Sequence, residues 1–315
     1  MKICSFLPAA TRMIYDMGLQ EYLYGVTFEC PSEALLQKPK IVRCMLEGKD
    51  YSSAEIDAIF SASKAQGKSL YYVDETLLQQ IEPDIIFTQD VCDVCQIDSA
   101  CTSAAIARLH KKPLLISLTP KSLDDVYQTA VTIAAAIGEE KAACTYLAGL
   151  TRRTDAILKQ LYKNRIPLKR VSFLEWIDPV YNCGHWIPYQ IAQAGGIDML
   201  SNPAGYSVVI PWEKIMRYDP IIIIIAPCGF STKRAIAELH LLMKKEGWQQ
   251  LQAVQNKRVY VLDFDLFTQP SAGTLVSGIE LLAALFHPTV FTVPAQVQHK
   301  YRNAFDEMPE AVAVL

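Results

Sequence analysis

The chain has no apolar run approaching the roughly 20 residues that a membrane-spanning helix requires, so it does not read as membrane-spanning. Positive charge is not in surplus either: 30 Lys and Arg stand against 33 Asp and Glu, a net charge of -3. Clustered cations that would neutralise a phosphate backbone are missing, which argues against nucleic acid as a partner. No G-x-S-x-G elbow is present, so a serine-hydrolase reading fails, and the absence of G-x-G-x-x-G and of a phosphate-loop motif removes the usual nucleotide sites. Met1-Lys2 leads directly into Ile3-Cys4-Ser5-Phe6-Leu7-Pro8, too short for the apolar core of a signal peptide. Nine cysteines, an odd number, fit reduced thiols in a cytosol better than a disulfide framework. The expectation is a cytoplasmic protein, or a periplasmic one where a leader has been removed.

What the chain does have is one layout written twice around a long helix. At 315 residues, 51% hydrophobic and 20% charged, it can build two cores of ordinary globular composition. From Glu139 to Lys163, Ala143, Tyr146, Leu147, Leu150, Ile157, Leu158 and Leu161 recur at three- and four-residue steps, an apolar stripe with Arg152, Arg153, Asp155 and Lys159 off it. Gly138 precedes this helix, and Asn164 with Pro167 ends it. On its N-terminal side, Leu77 to Ile81 forms a short amphipathic helix, Glu82-Pro83-Asp84 a turn, Ile85 to Thr88 an apolar strand, and Gln89 to Asp98 a cysteine-bearing loop. On its C-terminal side, Trp212 to Met216, Asp219-Pro220, Ile221 to Ile225 and Pro227-Cys228-Gly229-Phe230 repeat that order. Apolar runs without alternation suit strands buried on both faces, so each half is expected to be α/β with a mostly parallel sheet. The boundaries read as a lobe at 1–138, a connecting helix at 139–163, a lobe at 164–290 and a tail at 291–315, the tail either disordered or docked on a lobe.

Taken in order, the first lobe reads as strand Lys2 to Leu7, helix Ala9 to Met17 ended by Gly18, and strand Leu23 to Thr27. A helix capped by Ser52 and Glu55 runs to about Ala65. Strand Asp84 to Thr88, a helix from about Ser99 to Leu109, strand Pro113 to Ser117 and a helix from Ser122 to Ile137 follow. The second lobe reads as strand Arg170 to Leu174, helix Ile187 to Ala194, strand Ile221 to Ile225, helix Thr232 to Lys245, strand Val259 to Leu262 and helix Gly273 to Phe286. Ligands of open α/β sheets sit beyond the carboxyl ends of the strands, which directs attention to the loops there.

Two loops carry the chemistry. Glu175-Trp176-Ile177-Asp178-Pro179-Val180-Tyr181-Asn182-Cys183-Gly184-His185-Trp186 packs two Trp, a Tyr, a His and two carboxylates behind a buried strand. Amphipathic rings with a few polar groups suit a bulky, flat or polycyclic ligand. Cys92-x-x-Cys95, with Cys101 nearby, invites a zinc or thioredoxin-like reading. No second cysteine pair or His-x-x-x-His completes a zinc set, and several residues separate the pair from the next helix. Small, partly buried residues packing a loop is the plain alternative.

Several segments together resemble a known family. Ser5-Phe6-Leu7-Pro8-Ala9-Ala10-Thr11, Phe28-Glu29-Cys30, Thr88 to Cys95, Glu175-Trp176-Ile177-Asp178-Pro179, Gly184-His185-Trp186-Ile187-Pro188, Trp212-Glu213 and Pro227-Cys228-Gly229-Phe230 are similar to the cobalamin-binding-protein-like branch of the helical-backbone (class III) substrate-binding proteins of ABC importers. The resemblance spans roughly Lys2 to Pro288 and implies two Rossmann-like lobes joined by a single long helix, with the ligand held between them. It implies no catalysis and no catalytic cofactor; the bound ligand would be cobalamin or an iron chelate such as a ferric siderophore or haem. Ligand contacts implied are Pro8, Glu29, Cys30, Asp90, Cys92, Cys95, Glu175, Trp176, Asp178, His185, Trp186, Cys228 and Phe230. Cys92, Cys95 and His185 are candidate metal ligands. Glu75 and Glu213 correspond to surface carboxylates that meet permease arginines in exported relatives, and the chain itself is expected to be a monomer. The chain departs from the branch at Phe28, where a histidine is usual, and at Gln269-Pro270-Ser271-Ala272-Gly273, where an arginine-containing stretch is usual. Two other functions compete: a cytosolic metal-binding or redox protein using Cys30, Cys92, Cys95 or Cys228, and an enzyme using Glu175, Asp178 and His185.

Overall fold

The computed structural model describes residues 1–49, 51–89 and 106–307. The chain clusters into two compact units, one comprising Met1–Pro120, Asp124–Gly149 and Pro270–Gly273, the other Lys121–Leu123, Leu150–Gln269 and Thr274–Leu315. Asp90, Cys92, Cys95 and Cys101 lie outside the described residues, as does most of the helix expected from about Ser99.

Unit 1 runs β1 (Ile3–Ser5), α1 (Pro8–Asp16), β2 (Leu23–Thr27), α2 (Ser32–Gln37), β3 (Lys40–Cys44), α3 (Ser53–Ala65), β4 (Tyr71–Val73), α4 (Glu75–Ile81), β5 (Ile85–Thr88), β6 (Leu114–Ser117), α5 (Leu123–Ile137) and the first part of α6 (Glu140–Lys163). Its sheet has the order β4-β3-β2-β1-β5-β6, with β4 antiparallel to β3 and the remaining pairs parallel. Ile3, Cys4, Ile86 and Phe87 are fully buried, as strands covered on both faces require. Pro8 opens α1, where its missing N–H costs nothing. The capping box at α3 is reciprocal: Ser52 N–H donates to Glu55 Oε2 at 2.8 Å and Glu55 N–H donates to Ser52 Oγ at 3.3 Å.

Unit 2 continues with β7 (Lys169–Leu174), β8 (Gly184–His185), α7 (Ile187–Gln193), β9 (Gly196–Ile197), β10 (Asn202–Pro203), α8 (Trp212–Tyr218), β11 (Ile222–Ile225), α9 (Thr232–Met243), α10 (Gln252–Gln255), β12 (Val259–Leu262), α11 (Ala272–Phe286) and β13 (Tyr301–Asn303). Its main sheet is β13-β12-β11-β7-β9, parallel except for β13, while β8 and β10 form a separate two-stranded ribbon. β13 falls in the segment that showed little periodicity; it docks by backbone pairing with β12, which needs no apolar pattern.

The repeated layout extends to backbone detail. α4 and α8 are each seven residues long and each ends in a left-handed residue, Glu82 (φ 48°, ψ 65°) and Asp219 (φ 47°, ψ 66°), whose N–H closes on the carbonyl four residues back. Proline follows in both cases and stops the helix before the buried strand.

Two details of α6 differ from the apolar stripe. Leu158 is 43% exposed. Arg153, which lies off the stripe, forks onto Glu280 of α11 (Nε to Oε1 2.9 Å, Nη2 to Oε2 2.7 Å) and also donates to Ser277. A long side chain can leave the face its Cα occupies and pair across to a neighbouring helix.

Candidate functional site

In unit 2 the site residues follow the carboxyl ends of β7 and β11. Trp176 and Tyr181 bridge antiparallel, and Tyr181 bridges on to Val209, so the chain between Glu175 and Val209 is a folded-back loop rather than an open one. Glu175 is its clamp. One carboxylate oxygen, Oε2, accepts the N–H of Gly184 at 3.0 Å and the hydroxyl of Ser207, and the residue is only 8% exposed. Gly184 is required there, because a Cβ would stand 2.6 Å from both Gly205 O and Ser207 N. The peptide between Asp178 and Pro179 is cis.

His185 sits where that loop turns, in the left-handed region at φ 54°. Its N–H donates to Gly205 O at 2.7 Å, and its carbonyl accepts from Ala204. The ring lies edge-on to Tyr206 (5.4 Å between centroids, 87°) and 5.3 Å from Trp186. Among the described residues its ring nitrogens have no hydrogen-bond partner, and burial lowers its pKa, so the imidazole is neutral near pH 7. Trp176 is half-buried and meets Phe230 edge-on at 5.0 Å, while the Arg234 guanidinium stacks 3.7 Å above Phe230. The Trp176 indole N–H is buried without a partner among the described residues.

Of the residues expected to face a ligand, the structure gives different work to three. Glu175 is spent on the clamp. Trp186 is buried, with its indole N–H donating to the Phe267 carbonyl at 2.6 Å, and it belongs to the core of unit 2. Phe230 is 1% exposed and supports Trp176 from beneath. Their ring and carboxylate chemistry looked ligand-like in sequence because tertiary partners such as Phe267 and Ser207 are remote along the chain. Trp176, Asp178, His185 and Cys228 remain half-buried at the loop surface.

In unit 1 the matching loops follow β1 and β2. Pro8 is buried in the first turn of α1, and Cys30 is buried with its thiol 3.1 Å from the Thr11 hydroxyl. Desolvation pushes the Cys30 thiol up to about 12 and the half-buried Glu29 carboxyl up to about 7. Burial likewise raises Cys4, Cys44 and, with Asp198 and Glu175 nearby, Cys183. Thiols held this way are packing groups, not ready metal ligands or nucleophiles. Among the described residues no three of His, Cys, Asp and Glu stand close enough together to hold a metal.

Sequence reasoning passed over the segment from Asn202 to Ile210. It supplies Ser207 to the Glu175 clamp, Tyr206 to His185, and an exposed apolar surface in which Tyr206 is 60%, Val208 46% and Val209 51% exposed. Its usable signal was Asn-Pro-Ala-Gly, a turn marker followed by four residues of strand character. Asp198 was passed over as well; its carboxylate accepts the N–H groups of Phe173 and Leu200 at 2.8 and 2.9 Å, tying β7 to the chain after β9.

Glu75 and Glu213 occupy corresponding first turns of α4 and α8. Glu75 is forked by Arg108, with both carboxylate oxygens at 2.7 Å from Nη1. Glu213 is exposed and has no partner among the described residues.

Each unit is an α/β sheet with loops at its strand carboxyl ends, and α6 begins in the first unit and ends in the second. Residues 75–266 match the family described as "Periplasmic binding protein", and the chain belongs to that family, whose members bind solutes and are not enzymes. A curated relative from Bacillus subtilis (strain 168), the uncharacterized ABC transporter substrate-binding lipoprotein YvrC, is 23% identical over 297 residues, covering 92% of this chain and 81% of the relative. Among solved structures, a periplasmic heme binding protein from Pseudomonas aeruginosa superposes with a TM-score of 0.68 at 16% identity, covering 94% of this chain and 96% of that one. The periplasmic vitamin B12 binding protein BtuF of Vibrio cholerae gives a TM-score of 0.62 at 17% identity, covering 91% and 96%.

Proposed function

We propose that this protein is a non-catalytic binding protein for a large metal chelate of the cobalamin, haem or ferric-siderophore kind, which it delivers to an ABC permease outside the cytoplasmic membrane. The observation that carries the reading is the surface built around His185: a neutral imidazole whose nitrogens have no partner among the described residues, an exposed Tyr206 ring edge-on to it, and the exposed Val208 and Val209 that follow Tyr206 in the chain. Apolar rings and aliphatic side chains cover the face of a macrocycle, and a neutral imidazole is a common contact or axial ligand for its metal. The family and the ligands in the names of its structural neighbours support the same class.

The expectation of a cytoplasmic location finds no support in these relatives, since the family description is periplasmic and the curated relative is a lipoprotein. Among the described residues no helix is long and apolar enough to cross a membrane. The exposed, unpartnered Glu213 supports permease docking through α8; Glu75 would take the equivalent part from α4.

Titration with cyanocobalamin, hemin and ferrichrome, followed by visible absorption and calorimetry, tests the reading. One of the three is expected to bind saturably, and His185→Ala is expected to weaken it. If none binds more tightly than about 1 mM, the proposal fails.

A further inference from the structure

At the opposite end of the unit 2 strands from these loops is a cavity of about 260 Å³. Lys169 is the first residue of β7 and Arg258 immediately precedes β12, so both stand where strands of one parallel sheet begin, with β11 between them. The end of α11 and the residues after it close the cavity with Phe286, His287, Thr289 and Val290. No Asp or Glu is among the described residues that line it.

Three polar side chains there keep hydrogen-bonding or charge capacity that the described residues do not use. The Lys169 ammonium has no ion-pair or hydrogen-bond partner among the described residues, and the residue is half-buried. Arg258 donates through Nη2 to the carbonyls of Leu285 and Phe286 at 2.8 and 3.2 Å, which fixes the guanidinium across the end of α11 and leaves its other N–H groups uncommitted. His287 is 3% exposed, and its Nε2 lies 3.1 Å from the Gly195 carbonyl. A carbonyl only accepts, so Nε2 carries the hydrogen and Nδ1 is an acceptor with no hydrogen-bond partner among the described residues. Burial and the neighbouring Lys169 and Arg258 lower the His287 pKa, which keeps that acceptor available at neutral pH.

We propose that this cavity is a second binding site, separate from the chelate site, for a small organic carboxylate with an apolar body. The anionic head would meet Lys169 and Arg258, a hydroxyl on the body would donate to His287 Nδ1, and Phe286 and Val290 would cover the apolar part. Partly desolvated cations without a carboxylate favour an incoming anion, because its charge replaces lost hydration. The volume suits a single substituted ring, lying just below the roughly 300–1,000 Å³ of drug-sized sites. A tetrapyrrole is too large for it.

The probe is 4-hydroxybenzoate, titrated into the full chain by calorimetry with ¹⁵N observation of the histidine rings. Saturable binding is expected, with a shift of the His287 ring nitrogens. Lys169→Gln should weaken it by about ten-fold or more, the range of one charge-assisted hydrogen bond, and Arg258→Lys by less. Trp176→Ala should leave it unchanged, which separates this site from the chelate reading. The proposal is overturned if saturation is absent at ~10 mM probe, if Lys169→Gln binds like the parent, or if the His287 resonances do not move. Equal binding of 4-hydroxybenzamide, which has no charge, or of inorganic phosphate, which has no apolar body, also overturns it.

Discussion

The carboxylate of Glu175 accepts the backbone N–H of Gly184 at 3.0 Å, one residue before His185, and with the Ser207 hydroxyl anchors the loop that presents it. A residue that looked like a ligand contact or a catalytic acid is a structural anchor. Glu175→Ala leaves the Gly184 N–H and the Ser207 hydroxyl without their acceptor, so unfolding free energy should drop by about 1–3 kcal/mol in urea titration. Glu175→Gln keeps one acceptor oxygen and should lose less. Equal stability of the alanine variant and the parent would remove the anchor role.

The two tryptophans of the same loop should separate cleanly. Trp186→Ala empties a buried site and abandons the bond to Phe267, an expected loss of about 3–5 kcal/mol in stability. Trp176→Ala should cost far less stability and weaken chelate binding by about ten-fold, or 1.4 kcal/mol. Thermal melts paired with hemin and cobalamin titrations decide this; the opposite pattern would exchange their roles.

Glu29 gives a pH dependence of known sign. Its folded pKa, about 7, lies above its ordinary value of 4.5 because burial disfavours the charge. The folded state therefore binds the proton more tightly than the unfolded chain, and stability falls as pH rises between about 4.5 and 7. Glu29→Gln cannot ionise, so it should match the parent near pH 4 and exceed it at pH 8 by no more than a few degrees in Tm. Melting at both pH values checks it, and a variant less stable at pH 8 contradicts it.

Charge reversal at Glu213 addresses the partner. Glu213→Arg should leave chelate affinity unchanged and lower permease-coupled uptake several-fold, since exposed interface charges act mainly on association. Glu75→Ala should have the smaller effect, because Arg108 already neutralises that carboxylate. Uptake unaltered by both changes would exclude these helices from docking.

The sequence by itself determined the α/β class, the long helix and the repeated helix-turn-strand unit, since these rest on local patterns. Apolar runs specified β5 and β11, and an acidic residue followed by proline specified the left-handed stops at Glu82 and Asp219. Strand β3 escaped notice because Lys40 and Arg43 break its apolar run, and β4 and the ribbon of β8 with β10 because they are only two or three residues long and are held by pairing with other segments. The division of labour within the aromatic loop was equally hidden. Whether Trp186 faces outward or inward depends on a carbonyl 81 residues away, and whether Glu175 is a free acid depends on Ser207, 32 residues on. Composition shows which groups can hydrogen-bond; only the tertiary structure decides which have already done so, and at His185 and Trp176 it leaves ring nitrogens without a partner among the described residues.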